Sequence, residues 1–127
     1  MGTTILVEDL YRAGRDLITA LDKEGVSVPT AFLMKTSEED YSWSLVLAME
    51  GVKANGSRKY YQDLLSTIKE HDIPLSLADV RVIDKDEEMI RSLQRMVHTG
   101  TAIGRINFFG NYINGQRFPD AVIYRAS

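Results

Sequence analysis

Between Thr30 and Met49 the chain alternates in a way that only a pair of strands explains. Trp43, Leu45, Leu47 and Met49 fall on one side of a two-residue period, and Ser42, Ser44, Val46 and Ala48 fall on the other. The first side is uniformly large and apolar, so it requires cover, most simply from amphipathic helices. Across the acidic stretch Glu38-Glu39-Asp40, the segment from Ala31 to Lys35 supplies Phe32 and Met34 to one side and Ala31 and Leu33 to the other. A strand apolar on both sides belongs inside a sheet. The spacing therefore predicts a central hairpin with Trp43 as its largest buried side chain. Truncating a fully buried Trp costs about 3–5 kcal/mol, enough to unfold a small domain.

A different period governs the segment from Ile5 to Lys23. Val7, Leu10, Gly14, Leu17, Ile18 and Leu21 recur every three or four residues, which predicts a helix. Thr3 or Thr4 is placed to cap its start and Gly25 to end it in the left-handed conformation. Gly14, inside the apolar stripe, marks a close approach to the sheet. After the Asn55-Gly56 turn, Ser57 is placed to cap a second helix running to about Glu70, with Tyr61, Leu64, Leu65 and Ile68 as its stripe. Asp72-Ile-Pro74 stops it, Ser76 to Asp79 forms a small capped turn, and Val80 to Ile83 reads as a short strand. Asp84 to Glu87 has the form of a capping box opening a third helix. Met89, Ile90, Leu93, Met96 and Val97 make its apolar side, and Gly100 stops it.

Asn114-Gly115 is the favoured pair for a two-residue hairpin turn. Hinging there pairs Tyr112 with Arg117, Phe108 with Ala121, Ile106 with Ile123 and Arg105 with Tyr124. Pro119 cannot donate a ladder hydrogen bond, so that strand lies at an edge or is kinked. The whole order, α-β-β-α-β-α-β-β, predicts one α+β domain over residues 1–127. Its four- to five-stranded, mainly antiparallel sheet comes from two hairpins, with three helices mainly on one face.

Composition narrows the class more than the function. The chain has 127 residues, 44% hydrophobic and 26% charged, as expected for a soluble globular domain. It shows no membrane span or basic-apolar leader, and with no cysteine it has no disulfide or thiolate site, so a reducing cytoplasm is the simplest location. The net charge of −3 is unevenly distributed: residues 91–127 hold five arginines (Arg91, Arg95, Arg105, Arg117 and Arg125) against a single acid, Asp120. Arginine suits fork-like contacts to carboxylate or phosphate. The simplest use of the excess is internal pairing with the acidic front of the chain.

Catalytic patterns are missing: there is no H-E-x-x-H, no G-x-S-x-G and no glycine-rich phosphate loop. His71 and His98 both fall at helix ends, where the dipole favours a cation, and no metal site or cofactor is expected. A metal-dependent hydrolase or nuclease could be assembled from Glu50, Asp84, Lys53 and a histidine, although Lys53 follows Glu50 by three residues where the common nuclease spacing is two. Arg105 to Tyr112 has the arginine and aromatics of an RNA-recognition strand, but Ile106, Asn107 and Phe108 occupy places where that motif needs other residues. What survives is a surface. Arg105, Asn107, Phe109 and Tyr124, with Arg125 adjacent, should project from one face of the last hairpin, and such residue types anchor interfaces. The leading expectation is a non-enzymatic interaction module, a homodimer or the partner of another protein. Anion or nucleic-acid binding through the arginines is the alternative, and the Glu50/Asp84 hydrolase the second.

Overall fold

The computed structural model describes residues 7–37, 42–113 and 115–127. Helix α1 (Val7–Lys23) is followed by the hairpin β1 (Thr30–Ser37) and β2 (Ser42–Met49). A one-turn α2 (Val52–Asn55), α3 (Arg58–Glu70) and β3 (Val80–Asp84) come next, then α4 (Glu88–Met96). Four short strands complete the chain: β4 (Ile106–Phe108), β5 (Tyr112–Ile113), β6 (Gln116–Arg117) and β7 (Ala121–Ala126). The expected α+β class and order are observed. The capping threonines at positions 3 and 4, the acids at 38–40 and Asn114 of the last turn lie outside the described residues.

Five strands form one sheet in the order β3-β2-β1-β7-β4, and β5-β6 is a separate small hairpin. The sheet is mixed: β2 and β3 are parallel, with Leu45 beside Val80 and Met49 beside Asp84, whereas the other neighbours are antiparallel. The parallel pair follows from α3, because a strand–helix–strand segment returns the chain in the same direction. The final register is the one expected from sequence, with Ile106 opposite Ile123, Phe108 opposite Ala121 and Tyr112 opposite Arg117.

β1 sits at the centre, and Ala31, Phe32 and Leu33 are fully buried there. One sheet face, bearing Leu33, Leu45, Leu47, Val122 and Tyr124, packs under α1 and α3. The other, bearing Phe32, Val46 and Ile123, meets Ile90 and Leu93 of α4 together with Phe108 and Phe118. Two of the three long helices thus share a face and α4 takes the opposite one, because the central strands are apolar on both sides and both must be covered.

Several local expectations need correction. Trp43 is only half-buried at the outer end of β2, packed against the edge of the α1 face, while Leu45 and Leu47 form the centre. Leu65 is exposed and Thr67 takes its place in the buried stripe of α3, since the stripe follows Leu64, Thr67 and Ile68. Ser57 stands before α3 but makes no side-chain cap. Helix α4 begins after Glu87 and ends at Met96, which is exposed. Asp84 does not cap it. Its carboxylate instead accepts the backbone N–H groups of Asp86 (2.9 Å) and Lys53 (2.8 Å).

Candidate functional site

The two edges of the main sheet differ. At the β3 edge, the N–H of Val82 donates to the Tyr61 hydroxyl of α3 (2.9 Å), so the helix covers a donor that an edge strand would otherwise present. At the other edge β4 is the terminal strand. Ile106 lies in β4, Phe109 directly follows it and Tyr112 begins β5, and these three are 37%, 52% and 64% exposed. Only Leu65 and Met96 join them as exposed large hydrophobic residues among those described. Three of the five therefore cluster within seven residues in and just after the terminal strand.

The expected surface of Arg105, Asn107, Phe109, Tyr124 and Arg125 does not exist as a single exposed face. Tyr124 and Arg125 are buried. Tyr124 points to the same side of the sheet as Val122, as alternation requires, and α1 covers that side; a bulge, where β1 pairs Ala31 with Arg125 but Phe32 with Ile123, brings Arg125 to the same side. A bulge re-aims side chains that would otherwise alternate. Tyr124 turns under α1, where its ring stacks on Tyr11 (centroids 4.7 Å, planes 8° apart) and its hydroxyl donates to the Tyr11 carbonyl (2.9 Å). Burial pushes its phenol pKa far above the usual value.

Arg125 reaches the same helix. Its guanidinium donates twice to the Asp22 carboxylate (2.8 and 2.9 Å) and to the carbonyls of Val28 (2.8 Å) and Thr101 (2.9 Å). Arg105 makes a two-pronged pair with Glu8, one prong at 2.8 Å, and lies 4.7 Å from the centre of the Tyr11 ring. That hydrogen-bonded guanidinium holds the Glu8 carboxyl below its ordinary pKa. Of the expected set, Asn107 and Phe109 remain exposed, with Arg105 committed to Glu8.

The arginine excess is therefore largely spoken for. Arg91 faces Asp86 (3.8 Å) and Arg117 faces Asp120 (3.5 Å), so four of the five C-terminal arginines have a carboxylate within 4 Å. Two of these acids belong to α1, as internal pairing between the two ends of the chain requires.

Glu50, Lys53 and Asp84 do come together, at the carboxyl ends of the parallel strands, in a cleft of about 770 Å³ that also contains Lys85 and Arg91. Both oxygens of Asp84 accept backbone N–H groups, which hold its carboxyl below the usual range, and Glu50 faces Lys85 at 3.8 Å. Neither histidine lines the cleft. His98 is exposed in the segment after α4.

No family model, curated protein or solved structure matches the chain. The functional reading rests on the geometry above. Of these three residues the sequence points to Phe109 alone as surface; it puts Ile106 and Tyr112 in the hairpin without marking them as exposed.

Proposed function

We infer that this chain is a non-enzymatic interaction module that pairs with a second copy of itself through the β4 edge. One observation carries the reading: at the β3 edge Tyr61 takes the N–H of Val82, while β4 has no strand beyond it among the described residues and lies beside the exposed Ile106, Phe109 and Tyr112. An antiparallel edge can pair with its own copy about a two-fold axis, and flanking aromatics then supply desolvated contact area. The absence of cysteine makes a reducing cytoplasm the proposed setting. Among the described residues no helix is long and apolar enough to cross a membrane.

Sedimentation equilibrium tests the assignment. The unaltered chain should sediment as a dimer at micromolar concentration, and the double variant Phe109→Lys/Tyr112→Lys as a folded monomer with unchanged circular dichroism. A monomeric unaltered chain, or a dimer indifferent to both substitutions, overturns it.

A further inference from the structure

α1 and α3 end side by side, and their last turns present an unusual set of side chains. Glu24 follows α1, Glu70 is the final residue of α3 and His71 caps it. One donor atom from each of the three lies within 4.8 Å of the others. Carboxylates at helix C-termini oppose the dipole, whose negative end favours cations. Here two converge at two such ends, with a histidine between them.

The geometry points to a three-ligand site for a divalent transition metal of the zinc class, formed by Glu24, Glu70 and His71. This inference is independent of the β4 edge. His71 Nε2 and Glu24 Oε1 are 3.5 Å apart. Bonds of about 2.0–2.2 Å in a tetrahedron place neighbouring donors roughly 3.3–3.5 Å apart, so this pair already has the spacing of one tetrahedral edge. Glu70 is exposed, and one of its carboxylate oxygens lies within 4.8 Å of both other donor atoms. Water supplies the fourth position.

A second feature prepares the site. Thr67 is buried, and its hydroxyl lies 3.0 Å from Glu24 Oε2 and 3.2 Å from the Asp63 carbonyl. The hydroxyl is nearer Oε2 than Oε1 (3.4 Å), and Oε1 is the oxygen that faces His71, so donation to Oε2 orients the Glu24 carboxylate as an outer hydrogen bond orients a metal ligand. An imidazole nitrogen with two carboxylate oxygens suits zinc and its transition-metal neighbours, whereas magnesium and calcium prefer all-oxygen shells. A metal here would tie the end of α1 to the end of α3.

Calorimetric titration of the full chain with zinc chloride tests this, alongside thermal melting. One saturable site and a raised Tm are expected with zinc, and neither with magnesium chloride at the same concentration. His71→Ala and Glu24→Gln should each weaken zinc binding by roughly tenfold or more while leaving the circular dichroism unchanged. Thr67→Val should weaken it and Thr67→Ser restore it; His98→Ala should leave it intact. Absence of saturable zinc binding overturns the assignment. So does binding that survives His71→Ala or disappears in His98→Ala.

Discussion

The ring of Tyr124 occupies the place where a side chain on Gly14 would begin. A Cβ on Gly14 would stand 2.9 Å from the Tyr124 ring carbon Cζ and closer still to its hydroxyl oxygen. In an open helix, replacing glycine by alanine gains about 1 kcal/mol. Here the methyl group must displace a stacked, hydrogen-bonded tyrosine. Gly14→Ala should therefore destabilise the protein by about 1–3 kcal/mol in denaturant melts. Combined with Tyr124→Phe, the cost should fall below the sum of the single effects, because the hydroxyl is the nearest obstacle.

The Arg125–Asp22 pair gives a second expectation. Asp22→Ala leaves a buried guanidinium facing only carbonyl groups. Breaking a fully buried pair costs about 3–5 kcal/mol, and because the Asp22 side chain is 43% exposed the loss here should be nearer 2–3 kcal/mol. Urea unfolding of the single variant measures it, and a change under about 0.5 kcal/mol would show that water replaces the carboxylate without loss.

Acid stability should depend on Glu8 and Asp84. Both carboxyls are depressed in the folded protein, by Arg105 and by backbone N–H groups respectively. Each therefore contributes stability above its unfolded pKa of about 4, and the contribution disappears as pH falls through the lower folded value. Melting temperature against pH should drop on the acid side of about pH 4. Glu8→Gln and Asp84→Asn should each flatten that limb.

At the alkaline end the sign reverses. The Tyr124 phenol is raised, so its protonated form favours the folded state below the unfolded pKa of about 10, and that advantage declines as pH rises further. The Tyr124 phenol should resist ionisation in an ultraviolet titration until the protein unfolds. Tyr124→Phe should remove that late transition.

The half-buried position of Trp43 changes what its removal should do. Trp43→Ala should cost about 1–2 kcal/mol, less than the 3–5 kcal/mol of a fully buried indole, and leave the protein folded. Leu45→Ala, at a position with no exposed surface, should cost about 2–5 kcal/mol. Parallel denaturation curves rank the two.

Local chemistry in the chain determined the elements and much of their pairing. Alternation placed Phe32 and Leu33 on opposite faces of one central strand, helical spacing gathered Leu10, Leu17 and Leu21 on α1, and the turn before Gly115 set Ile106 opposite Ile123. These are legible because side-chain direction repeats every two residues in a strand and every 3.6 in a helix. The bulge beside Tyr124 broke that rule at Arg125. Only the packed structure decided that Tyr124 and Arg125 both turn inward, toward Tyr11 and Asp22 more than a hundred positions away. The same holds for Glu24 beside His71. Such partners share no period with one another, and meet only when burial of both sheet faces has brought distant segments together.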